Sequence, residues 1–266
     1  MTVRRPAVAG SFYPDDPRAL RAQVRACLDE GRRRQTDRIG TVRPKALVVP
    51  HAGYVYSGPV AGSAYALMAP WAAEIRRVVL FGPSHRVAFR GLATSTADAW
   101  DTPLGRVSLD GAGAEALLRL SQVDPLDAAH AGEHSLEVQL PFLQVLFPDF
   151  VLLPVVAGDA PPRAVAEVIE ACWGGDETLL LVSSDLSHYH DYETARRLDR
   201  AATAAIEALR PEGLDEESAC GRVPVRGLLL AARAHGLTAH TLDLRSSGDT
   251  AGPRDQVVGY GAYAFA

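Results

Sequence analysis

Four short apolar runs constrain this chain more than anything else in it: "KALVVP" (45–50), "RRVVLFGP" (76–83), "FVLLPVVAG" (150–158) and "TLLLVSS" (178–184). None alternates polar with apolar residues, and each is too short for a buried helix. Such runs read as strands covered on both faces. Helical patterns fall between them. "DDPRALRAQVRACLDEGRRR" carries Asp16 as N-cap and Pro17 at the first helical position. "GPVAGSAYALMA" is a small-residue helix that can lie close to a sheet. "GAGAEALLRL", "PPRAVAEVIEACW" and the stretches 191–210 and 222–235 also have helical spacing. "EHSLEVQLPFLQVLFP" does too, but Pro141 inside it requires a kink or a late start. "GLATS", "GRVSLD", "HTLDLRSSGD" and "VVGYGAYAFA" supply further strands. This alternation, with no long linker, predicts one three-layer α/β domain over residues 1–266, its central mixed β-sheet flanked by helices.

Composition narrows the function classes. The charge of −5 does not recruit nucleic acid or an anionic membrane. The run Arg32-Arg33-Arg34 reads as a solvated helix end. Apolar stretches fall short of a bilayer span, and the first residues lack the apolar core of a signal peptide. Three cysteines make no disulfide framework, which fits a cytoplasmic protein. Cys27 and Cys172 lie on amphipathic patterns and read as small buried hydrophobes.

Three predicted strands end in a polar or proline turn followed by histidine: His51 after "LVVP", His85 after "VLFGPS" and His188 after "LVSSDLS". If the strands are neighbours, three imidazoles meet on one rim, at the strand carboxyl ends where ligands of open α/β sheets collect. Histidine is both the commonest metal ligand and the usual acid/base near neutral pH. Gly53 is expected to turn the chain away after His51, leaving Tyr54 and Tyr56 to wall the pocket. Cys220 stands before a helix and near Arg222, a setting that lowers a thiol pKa. Asp185, three residues before His188, either orients an imidazole or caps a turn. In "EHSLE", Glu133 and Glu137 share a helix face, and His134 is a substrate contact, an outer partner of the site or a helix cap. His130 reads as a residue of a loop or lid; His235 and His240 read as structural. Neither HExxH nor G-x-S-x-G is present, so protease and serine-hydrolase readings are weak.

The blocks "VAGSFYP", "PHAGYVYSG", "GPSH", "EHSLEVQLPF", "SSDLSHY", "CGRVPV", "SSGD" and "VVGYGAYAF" run in order from Val8 to Phe265. In these blocks the chain resembles the Memo-like family, whose bacterial and archaeal members are called AmmeMemoRadiSam system protein B. The resemblance implies a fold like the class III extradiol dioxygenases. It implies a metal site at His51, His85 and Cys220 with His188 beside it; His188 is then the expected acid/base, and Asp185 the further catalytic candidate from its place three residues before. It places the block of Glu133, His134 and Glu137 at the pocket wall, where with Tyr54 and Tyr56 they are expected to surround a bound small molecule or peptide. The implied metal is iron or copper, with zinc as the further option, and the implied partners are an AMMECR1-like protein and a radical-SAM protein. Dioxygenases bind ferrous iron through two histidines and a carboxylate. A thiol in the third place is softer and oxidisable, so the fold does not carry dioxygenase activity with it. Two functions therefore stand: a metal-dependent redox enzyme, or a binding module using the same cleft with a structural metal or none.

Overall fold

In a computed structural model, which describes residues 1–34 and 42–266, the four apolar runs form adjacent strands of one mixed sheet. The order across its centre is Ala46–Val49, Thr178–Ser183, Arg77–Pro83 and Val151–Ala157, all parallel. Val257–Phe265 adds antiparallel to Ala46–Val49 and pairs with Ala239–Ser246 on its other side. Leu92–Thr94 adds antiparallel at the opposite flank, followed by Val123–Pro125. Every residue of Ala46–Val49 and Thr178–Ser183 is buried, as continuous apolar strands require.

Alternate side chains feed two cores. Leu47, Val49, Val78 and Leu80 pack on one face with Leu20, Val24, Val60 and Phe142. Ala46, Val48, Val79 and Phe81 pack on the other with Val165, Ile206, Leu228 and Leu229. This is the expected mixed α/β domain with helices on both sides of the sheet. A small sheet of Val3–Arg4, Ala99–Thr102 and Gly105–Ser108 has no core of its own, because Trp100 and Val107 join the first cluster. Its middle strand was not visible in the sequence pattern.

Local details follow side-chain chemistry. Asp16 accepts from the N–H of Ala19 and starts the helix Pro17–Arg34. That helix lies backbone to backbone on Tyr54–Leu67: a Cβ on Gly62 would stand 2.2 Å from the Cys27 carbonyl oxygen. The 133–148 stretch starts late, with one 3-10 turn at Glu137–Gln139 and then a helix at Leu140–Leu146 that places Pro141 in its first turn. Helix Tyr54–Leu67 begins before its sequence pattern does, so Pro59 lies inside it. Cys27 and Cys172 are buried. Among the described residues no helix is long and apolar enough to cross a membrane.

Candidate metal centre

Parallel pairing puts Val49, Ser183 and Pro83 at one edge of the sheet, with Val49 opposite Ser183. His51 and His85 each stand two residues past a strand end, so both reach the same rim. Their ring centres are 5.2 Å apart. The third imidazole of the cluster is His134, 5.4 Å from His51 and 4.6 Å from His85 between ring centres. One ligand atom from each of the three lies within 4.8 Å of the others. Cys220 does not complete this group. Its Sγ is 3.3 Å from His51 Nε2 and 3.7 Å from the Asp185 carbonyl oxygen, on the flank of the cluster. The loop before helix Arg222–Ala234 is pinned there by the Gly221 N–H donating to Ser184 Oγ.

The hydrogen bonds fix which nitrogens are free. Ser183 Oγ donates to the Ser135 carbonyl at 2.6 Å and accepts from Gln139 Nε2 at 2.8 Å. Its proton is committed, so the 2.9 Å contact with His51 Nδ1 requires Nδ1–H to donate. His85 Nδ1–H donates to Glu133 Oε1 at 2.9 Å. In the neutral form of each ring the lone pair is therefore on Nε2. Outer partners that set tautomers this way are a regular feature of metal-bound imidazoles. Gln139 is itself held, donating to the Pro50 carbonyl and accepting from Tyr65 Oη.

Glu133 closes the loop around the cluster. Besides His85 Nδ1 it accepts from the backbone N–H of His85, His134 and Ser135. Burial alone would raise its pKa. The His85 hydrogen bond and charge, with the backbone donors, outweigh that and hold it at about 2. The imidazoles are driven the other way. Burial, and after it the neighbouring rings His85, His134 and His188, push His51 well below its usual range. Burial brings His134 down to about 4. These two rings are neutral at pH 7 and offer lone pairs. His134 Nδ1 is buried without a hydrogen-bond partner.

Beside the cluster opens a cleft of about 400 Å³ whose walls include Phe12, Tyr56, His134, Asp185, His188 and Tyr260. His188 lines it outside the three-imidazole group, with Nδ1 donating to the Leu186 carbonyl at 2.8 Å. Asp185 does not orient His188. Its Oδ1 accepts from the His51 backbone N–H at 2.7 Å, and burial raises its pKa to about 7.

Several expected roles change. Tyr54 does not wall the pocket: it is the first residue of its helix, buried, with Oη donating to the Val138 carbonyl at 2.6 Å. Two residues on, the helix has turned by about 200°, so Tyr56 faces outward where Tyr54 faces in. Gly53 has φ −54° and ψ 142°, a conformation open to any residue, so no special turn is made there. Glu137 faces away from the cleft and accepts from Arg4, the N–H groups of Ala7 and Val8, and Tyr13 Oη. The Cys220 thiol pKa is raised, by burial and then by Asp185, because desolvation outweighs its place before a helix. His130 forms no lid; it is buried in the short helix Asp127–Ala131 against Trp100. Ser183, Gln139 and Phe12 were not anticipated. Gln139, a polar residue among the apolar positions of "LEVQLPF", was the readable signal.

The fold and rim define an α/β protein with an imidazole cluster able to take a metal ion at the strand carboxyl ends. A family description, Memo-like protein, matches residues 4–264, and the chain belongs to that family. It is 38% identical to a MEMO1 family protein of Methanopyrus kandleri over 98% of both chains. A MEMO1 family protein of Ignicoccus hospitalis is 39% identical over 100% of this chain and 99% of that one, and one of Aquifex aeolicus is 37% identical over 98% of each. The fold is also similar to the crystal structure of an uncharacterized protein from Escherichia coli K12, with TM-score 0.52 and 13% identity over 83% of this chain and 99% of that chain.

Proposed function

We propose that this protein holds iron or copper at His51, His85 and His134, with the Cys220 thiol against His51 able to join as thiolate, and that it carries out redox chemistry on a small molecule in the adjoining cleft. The observation that carries this reading is the commitment of both Nδ1 atoms, in His51 and His85, which leaves Nε2 of each as the nitrogen available to a metal. Imidazoles suit iron, copper and zinc, and a thiolate adds preference for softer ions. Zinc is the alternative where the site is structural. A redox metal bound there supplies one-electron chemistry. The protein's own contribution is proton handling and positioning. His188, protonated at Nδ1 toward Leu186, has Nε2 free to take a proton from a ligand in the cleft. Asp185, its pKa near neutrality, can take up or release a proton on the same wall. Phe12, Tyr56 and Tyr260 offer apolar faces against which a ligand can be oriented. An AMMECR1-like protein and a radical-SAM protein are the partners we propose, tested by co-purification from the native host.

A second reading, a peptide-binding module, is favoured by the rim. Tyr189 is 71% exposed and held at φ 61°, a backbone state that side-chain-bearing residues adopt at some cost and often at functional sites. His188→Ala separates the two. In a redox enzyme it should leave metal content unchanged and lower ascorbate-driven oxygen uptake by the metal-loaded protein about 10²–10⁴-fold, the usual worth of a placed acid/base. Uptake no greater than that of the free ion in the unmutated protein would favour the module.

A further inference from the structure

The arm Thr2–Tyr13 touches the cleft through Phe12 and pairs with Ala99 and Trp100, and its side-chain contacts concentrate on one segment, His130–Glu137. The Arg4 guanidinium is almost wholly buried, at 7% exposure. Its Nε donates to the His130 carbonyl at 2.7 Å, one terminal nitrogen to the Glu133 carbonyl at 2.8 Å, and the other to Glu137 Oε2 at 2.7 Å. Its plane rests 4.5 Å from the Trp100 ring centre. All three nitrogens thus clamp both ends and the middle of a single stretch. Glu137 also takes hydrogen bonds from Ala7, Val8 and Tyr13, so the arm is tied to that stretch at four residues. Phe12 lies 4.7 Å from the His134 ring between centres. The same segment carries Glu133, which fixes the His85 tautomer, and His134 itself.

We propose that Arg4 is a positioning residue for the metal centre: through Arg4 and Phe12, the arm sets the place of the third imidazole and of the carboxylate behind His85. No strand holds His134, unlike His51 and His85, so its position depends on what grips residues 130–137. A forked guanidinium grips three acceptors at once, which a lysine ammonium on a flexible stem cannot reproduce. The link to metal affinity rests on the proposed function; the link to loop order does not.

The test uses Arg4→Lys in the full chain, with amide hydrogen exchange of the metal-free protein and cobalt(II) titration followed by its visible absorption. Exchange in 130–137 should accelerate at least tenfold while strands Arg77–Pro83 and Thr178–Ser183 stay protected. Cobalt affinity should fall roughly tenfold or more, the range set by outer partners of metal ligands. The cobalt bands should also change as one nitrogen ligand is lost, which general destabilisation would not produce. Unchanged exchange in 130–137 and an unchanged cobalt spectrum in a folded variant overturn the proposal. If Arg4→Lys does not fold, Phe12→Leu leaves the clamp intact and frees the His134 ring; an unaltered cobalt spectrum there overturns it equally. If the unmutated protein takes no cobalt, the metal reading fails, and exchange alone decides whether the arm orders the segment.

Discussion

The two sides of the centre are built differently. On the strand side, His51 and His85 stand two residues beyond Val49 and Pro83, ends of buried parallel strands. Little can move there without disturbing the sheet. On the loop side, His134 and Cys220 sit in segments whose position depends on polar contacts: Glu133 and Arg4 for one, Ser184 for the other. The strand side supplies rigidity and the loop side supplies most of the outer partners. The two sides should therefore fail in different ways.

The largest effect should come from the strand side. His51 is 1% exposed and meets Ser183, Cys220 and both other imidazoles. His51→Ala should lower metal affinity by more than about a hundredfold, beyond what outer partners alone contribute. Calorimetric titration with ferrous ion would check this, and full metal occupancy in the variant would break the assignment. Next in size is the acid sensitivity of the loop side. Burial, and then the Arg4 charge, lower the His130 pKa from 6.5 to about 4. Between these values the unfolded chain binds a proton that the folded chain does not. Stability should therefore fall as pH drops from about 6.5 to 4 and level off below, by about 3 kcal/mol in all. Denaturant midpoints of the unmutated chain and His130→Gln, compared at pH 7 and 4.5, should converge on acidification; parallel behaviour would contradict the assignment. Third, Glu133→Gln keeps the shape but removes the charge behind His85. Metal affinity should drop about 10–100-fold with the sheet intact. A variant with unchanged affinity would show that the His85 tautomer is set without Glu133.

The same contrast explains what the sequence revealed. Strand ends are legible because a continuous apolar run that stops at a polar turn has one reading, and two of them bring His51 and His85 together; His188, five residues past Ser183 and in a short strand of its own, lines the adjoining cleft instead. Loop geometry carries no comparable period. "EHSLE" announced that Glu133, His134 and Glu137 matter, but not that the first faces the cluster and the last faces Arg4. Their four-residue spacing suggested a common helix face; the turn there starts only at Glu137, so they diverge. Cys220 departs from its sequence expectation for a related reason. A helix start lowers a thiol pKa, but the half-buried Cys220 also stands against His51 and Asp185, where desolvation and then the Asp185 charge raise it, and that contact is a tertiary fact.

The smallest predicted effect is the sharpest test of the boundary between site and scaffold. Tyr54 and Tyr56 are two residues apart, and only Tyr56 lines the cleft. Tyr54 is 3% exposed, packs on Tyr13 and Phe142, and donates to the Val138 carbonyl, just before the loop side enters its helix. Tyr54→Phe keeps the ring and its packing and deletes one buried donor. The Val138 carbonyl then loses its partner, at a cost of about 1–2 kcal/mol. Metal affinity should stay within twofold, because neither Ser183 nor Glu133 loses a bond. Tyr56→Phe should show the reverse pattern: stability nearly unchanged, since Tyr56 is 39% exposed, with the effect confined to whatever the cleft binds. Thermal unfolding of both variants, set beside metal titration, decides the matter. If Tyr54→Phe weakens metal binding while stability holds, the loop side reaches further into the helix than its hydrogen bonds indicate, and Tyr54 belongs with the site after all.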